Sequence, residues 1–132
     1  MNALDRIGPL AGRILIAAIF ILSGFGKITG FEGTVGYIAS KGLPLPQFAA
    51  LGAIVVELGG GLMVVAGWKA RWAAAAMFVF TALAALIFHN FWAAPAAEAQ
   101  NQMIHFMKNI SMAGGLLYVV VFGSGPLSAA RD

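Results

Sequence analysis

Cysteine is absent from this 132-residue chain. That excludes disulfides, thiolate metal sites, iron–sulfur ligation and a cysteine-based redox relay within the chain. Charge is scarce as well: Asp, Glu, Lys and Arg make up 10% of the residues, against about 25% in a soluble domain. The eight basic residues are scattered and form no cluster, so the net charge of +3 does not point to nucleic acid and reads instead as a topology signal. With 61% hydrophobic residues and a mean hydropathy of +0.88, no polar shell can cover the molecule. Its apolar surface must face a lipid bilayer.

What is present is four long apolar runs, at 8–28, 46–68, 72–91 and 103–123. A helix needs roughly 20 mostly apolar residues to cross the hydrocarbon core. The pattern predicts an all-α, polytopic membrane protein: a single domain over 1–132 folded as a four-transmembrane-helix bundle. The breakers fall between the runs. Gly30, Gly33, Gly36, Gly42, Pro44 and Pro46 punctuate the first connection, whose middle, Thr34 to Lys41, suits a short interfacial helix. Gly67 to Arg71 makes a tight second connection, Pro95 and an Ala-rich polar stretch through Gln102 make the third, and Gly125 and Pro126 lead into a polar tail. The first run is too long, and lacks the small-residue site, for a cleavable signal peptide. Arg6, Lys69, Arg71 and Arg131 gather on the side of the two termini, with Arg13 just inside the membrane, whereas Lys41 lies opposite with Lys27 and Lys108 near helix ends. The positive-inside rule then puts both termini in the cytoplasm.

Ionisable side chains inside a span cost several kcal/mol, of order 2.5–3.5, unless paired or wet, so each is a functional candidate. Glu57 lies about eleven residues into the second run, which at 1.5 Å per residue is roughly 16 Å deep, near the midplane. Gly60, Gly61 and Val64 share its helical face, and glycines there let a neighbouring helix close in. Two readings stand: a structural pair with Lys or Arg, and a ligand- or proton-handling carboxylate. Lys27, with Phe20, Ser23 and Gly24 on its face, either snorkels to the interface or faces the same cavity as Glu57. His89 ends the third run beside Trp92, and His105, Lys108, Asn109 and Met112 form a stripe at the start of the fourth. The two histidines therefore lie on one side, as interfacial residues or as a pair able to hold haem or a metal. No carboxylate stands behind them to orient a metal ligand, so no metal site is assigned. Asn109 suits a hydrogen bond across helices. Arg13 suits snorkelling or pairing within the bundle. Trp68, Trp72 and Trp92 read as interfacial anchors.

Lys27, Glu57, His89, Lys108 and Asn109 come from all four runs and fall in the outer half. Facing inward, they would form a pocket for a small polar or quinone-like ligand, since quinone carbonyls need hydrogen-bond donors and a quinol needs proton acceptors. Arg13, Ser23, His105 and Trp92 are secondary candidates. No cofactor motif is evident in the chain, and a quinone is the cofactor these groups suit.

The chain resembles the DoxX family of small four-helix membrane proteins. The resemblance covers nearly its whole length. It rests on Arg13 followed by Phe20-Ile-Leu-Ser-Gly-Phe-Gly-Lys27 and Gly30-Phe31, on Glu57-Leu-Gly-Gly-Gly-Leu62 and Gly67, on Phe88-His89-Asn90-Phe91-Trp92, and on Phe106-Met107-Lys108-Asn109-Ile110 with Gly114-Gly115. It implies a bacterial inner-membrane protein. The family takes its name from a subunit linked to thiosulfate:quinone oxidoreductase, and other members look like membrane partners of oxidoreductase complexes. The leading expectation is therefore a redox-associated membrane protein, acting on quinone or with an oxidoreductase partner as a subunit of a quinone-linked enzyme. A non-enzymatic anchor or assembly subunit is the second. A small-solute transporter is the third, and with so few spans it would have to work as a homo-oligomer.

Overall fold

The computed structural model describes all 132 residues. It consists of helices, with no sheet. Helix α1 runs over Ala3–Thr29 and α2 over Phe31–Ser40. Helix α3 spans Pro46–Ala66, α4 Ala70–Phe88 and α5 Ala96–Phe122. Helices α1, α3, α5 and α4 with its short 3₁₀ extension to Ala93 are each long and apolar enough to cross a membrane. Helix α2 is the short helix expected in the first connection.

Local chemistry accounts for the ends. Asn2 caps α1 by accepting from the Asp5 amide at 2.8 Å, so the helix begins before the apolar run and carries Pro9 inside it. Pro46 opens α3 in the first turn, where its missing N–H costs nothing. Gly67 closes α3 in the left-handed conformation at φ 70°, a state glycine adopts without penalty. Helix α5 starts at Ala96, not near Met103: the stretch through Gln102, expected as loop, is rich in Ala, Glu and Gln, which are strong helix formers even without hydrophobicity. Its 27 residues rise about 40 Å, longer than the roughly 30 Å hydrocarbon core, so its first turns stand in the headgroup layer.

Helix α3 is interrupted. Val55–Gly59 winds as a π-turn with Glu57 at its centre. Such a turn inserts an extra residue into the helical register and often marks a functional position. The flanking glycines explain the close packing around it. A Cβ on Gly24 of α1 would lie 2.8 Å from Leu58 of α3, one on Gly61 2.8 Å from Ile21 of α1, and one on Gly60 2.9 Å from Met77 of α4.

The four long helices pack in the order α1–α3–α4–α5, with extensive association of α1 with α3 and of α4 with α5 and only light contact between α5 and α1. Near the chain termini the centre is filled by Ala17, Phe20, Val64, Ala73, Ala74, Met77 and Leu116. The tail closes this end, a finding the sequence reading did not anticipate. Ala129 and Ala130 donate backbone bonds to Ala66 and Gly67 at 2.8 and 3.1 Å. Arg13, only 2% exposed, donates through Nη2 to the carbonyls of Leu127 at 2.8 Å and Pro126 at 3.3 Å. Toward the opposite end the bundle is hollow, with α2 lying over the hollow. The outer surface carries exposed Leu15, Leu22, Leu62, Val79 and Val121 among many others, as a lipid-facing wall requires.

Candidate functional site

The hollow is a cavity of about 680 Å³. Helix α1 contributes Ile19, Phe20, Ser23 and Lys27, and α3 contributes Ala53 and Glu57. Helix α4 supplies Phe80, Thr81, Leu83 and Ile87 with His89 at its end, α5 supplies Lys108, Asn109 and Met112, and α2 covers it with Thr34, Tyr37 and Ile38. The five residues singled out from the sequence, Lys27, Glu57, His89, Lys108 and Asn109, thus border one space, and Ser23 borders it with them.

The base of the cavity holds the costly groups. Glu57 is buried, and Lys27 Nζ lies 2.8 Å from its Oε1. The two charges are in direct contact, and Lys27 is the one counter-charge Glu57 has. The π-turn accounts for the placement: it turns Glu57 toward α1 while Gly60 and Gly61 keep α4 and α1 close. Asn109 donates through Nδ2 to the Thr81 carbonyl at 3.3 Å, so α4 and α5 are tied at this depth. Thr81 itself is 1% exposed, and its Oγ1 has no partner. Sequence reasoning missed Thr81. It is the one hydroxyl between Trp72 and His89, and a lone polar residue in a span was the signal that could have found it.

Toward the open end the groups are basic and aromatic. His89 Nδ1 pairs with Gln102 Oε1 at 2.9 Å. The His89 and His105 rings stack at 5.1 Å with 24° between planes, and Lys108 Nζ lies 3.4 Å from His105 Nδ1. Tyr37 of α2 stacks on Phe88 at 5.4 Å. The remaining candidates lie elsewhere. His105 stands behind His89 and does not border the cavity. Trp92 is exposed and packs edge-on against Phe91 and Phe106. Arg13 sits at the far end, engaged with tail carbonyls rather than with an acidic partner. No three His, Cys, Asp or Glu side chains come together to hold a metal ion.

Chemically, the cavity offers apolar walls for a hydrocarbon or aromatic body, ammonium and amide donors from Lys27, Lys108 and Asn109, and one carboxylate acceptor.

Comparison with known proteins places this architecture. The family model DoxX matches residues 8–90. The inner membrane protein YphA of Escherichia coli is 38% identical over 122 residues, 92% of this chain and 87% of that protein. The inner membrane protein YqjF of the same organism is 38% identical over 131 residues, 99% of this chain and 95% of its own length. A Bacillus subtilis protein named "Putative oxidoreductase CatD" is 36% identical over 87 residues, 66% of this chain and 63% of that protein. No solved structure matches the chain.

Proposed function

The chain belongs to the DoxX family, and from that premise we propose that it is a redox-associated inner-membrane protein whose cavity binds a quinone or quinol headgroup, acting as the membrane partner of an oxidoreductase. The observation that carries this reading is the composition of this cavity: apolar walls from four helices around the Lys27–Glu57 pair, with Asn109 and Thr81 at the same depth. A volume of about 680 Å³ falls within the roughly 300–1,000 Å³ of small-molecule sites, which are mostly apolar with a few fixed polar groups. A quinone ring is flat and apolar with a carbonyl oxygen at each end. Lys27, Lys108 and the second amide hydrogen of Asn109 can donate to those oxygens, and Glu57 Oε1 can accept from a quinol hydroxyl. Oxidation of a quinol releases two protons and two electrons. Glu57 can accept one proton, the other leaves to water at the open end of the cavity, and both electrons pass to a cofactor of the oxidoreductase partner. The printed name of the Bacillus relative supports the redox class. With both termini on the cytoplasmic side, as the basic residues favour, the cavity opens toward the outer face.

The test is titration of the purified protein with a short-chain quinone by calorimetry. Saturable binding is expected, weakened at least tenfold, about 1.4 kcal/mol, by Glu57→Gln and by Lys27→Ala. Absence of saturable binding, together with full quinone-linked activity of cells carrying both substitutions, rejects the proposal. Co-purification of a soluble oxidoreductase that ignores both substitutions would favour an anchoring role instead.

A further inference from the structure

The mouth of the cavity carries a second group of basic side chains, of which only Lys108 is also a donor in the quinone reading. His105 does not border the cavity, and Lys41 lies on the connection beyond α2, yet both act electrostatically on His89, as does Lys108. The cluster is held in place. Lys41 Nζ sits over the Tyr37 ring at 5.7 Å, Tyr37 stacks on Phe88, and the next residue is His89. Lys108 Nζ lies 3.4 Å from His105 Nδ1, so the ammonium and the imidazole stand side by side. Two ammonium groups and two imidazoles from three segments therefore gather here with no acid among them. The protein's one ion pair is Lys27–Glu57, so neither Glu32 of α2 nor Glu98 of α5 is ion-paired with any of them. Like charges at such spacing repel unless an anion intervenes.

We propose that Lys41, His89, His105 and Lys108 form an anion site at the cavity mouth for the phosphate of an acidic phospholipid. A free phosphate would satisfy the charges alone. A phospholipid satisfies them and also covers Leu86, Ile104 and Met107, which are exposed on the adjoining faces of α4 and α5. The site stands where α4 ends and α5 enters, the layer in which lipid phosphates lie and in which basic residues favour an anionic headgroup. Lys108 is the one residue it shares with the quinone reading, whereas Lys41, His89 and His105 belong to it alone.

The test is native mass spectrometry of the intact detergent-purified protein with phosphatidylglycerol, with phosphatidylcholine of the same chains, and with phosphatidylglycerol plus millimolar inorganic phosphate. Retention of phosphatidylglycerol at least fivefold above phosphatidylcholine is expected, surviving the phosphate. A Lys41→Gln, His105→Gln, Lys108→Gln triple variant should lose that preference. Lys41→Arg with Lys108→Arg should keep it, and so should Lys69→Gln at the opposite end. Equal retention of the two lipids, or a preference untouched in the triple variant, overturns the site. Displacement of the lipid by inorganic phosphate overturns the headgroup assignment. None of these readouts involves quinone, so the outcome is separate from that of the calorimetric titration.

Discussion

Removing Lys27 should destabilise the protein more than removing Lys27 and the Glu57 charge together. The two side chains differ in exposure, 30% for Lys27 and 5% for Glu57, and they are 2.8 Å apart. At an effective dielectric constant of about 20 their attraction is roughly 6 kcal/mol, most of it offset by the cost of taking both charges out of water. Lys27→Ala leaves a buried carboxylate with no counter-charge. Breaking a fully buried pair costs about 3–5 kcal/mol, and the partial exposure of Lys27 brings the expectation down to about 2–4 kcal/mol. Glu57→Gln leaves a lysine near the end of α1 with a stem long enough to reach the headgroups, and should cost about 1 kcal/mol or less. In the double variant neither charge is stranded, so its loss should fall below that of Lys27→Ala, with a coupling energy of about 1–3 kcal/mol. Thermal unfolding in one detergent at neutral pH, followed by circular dichroism, measures all four proteins. Single-variant losses that simply add to the double, within about 0.5 kcal/mol, would refute the pairing.

Two further outcomes follow from the packing. Gly24→Val and Gly61→Val each force a side chain into a contact already closed at the Cβ position and should lower stability by about 1–3 kcal/mol, while Gly114→Ala, whose surroundings are open within 4 Å, should not, as thermal melts will show. At the tail, the Arg71 backbone N–H holds the Asp132 carboxyl below its ordinary value, with help from Ser124. A depressed carboxylate contributes stability above its unfolded value, near 3.9, and loses it as pH falls through the folded one. Protease cleavage of the last ten residues with an acid-active enzyme should therefore rise only below about pH 4, and Asp132→Asn should raise it already at neutral pH.

The spans were legible because a bilayer admits few solutions. Long apolar runs broken by Gly and Pro can hardly fold otherwise. The candidate residues were legible for the same reason: Lys27, Glu57, His89, Lys108 and Asn109 are conspicuous where polarity is expensive. Their meeting in one space was only a condition in the sequence, since spacing within a helix does not fix how separate helices face each other. What escaped the reading involves backbone. The start of α5 was missed since Ala96 to Gln102 is helix-forming without being hydrophobic. The π-turn at Val55–Gly59 leaves no mark in side-chain pattern. The tail closes on Ala66 and Gly67 through N–H and C=O groups, which every sequence possesses. Arg13 found carbonyls in place of an acid, and residue types alone do not distinguish those partners.

The buried polar atoms without partners separate structure from function in this fold. They are Arg13 Nε and Nη1 and Thr81 Oγ1, with Glu57 relying on Lys27 as its one counter-charge. Each such atom costs about 1–3 kcal/mol, so each asks for a reason. Around Arg13 there is no room: a Cβ on Gly67 would collide with its Nη1 and with Ser128. Its free donors are the residue of a tight plug in which Nη2 makes both useful bonds. Glu57 and Thr81 instead border the cavity, where a ligand's own polar atoms can reach them. The same chain thus spends its polar groups differently at its two ends. Those by the termini lock backbone to backbone and seal the bundle, whereas those beneath α2 are left open to a space with apolar walls. A bundle that needed only to sit in the membrane would have no use for the second arrangement, which is why the cavity, and not the conspicuous Arg13, is the place to look for chemistry.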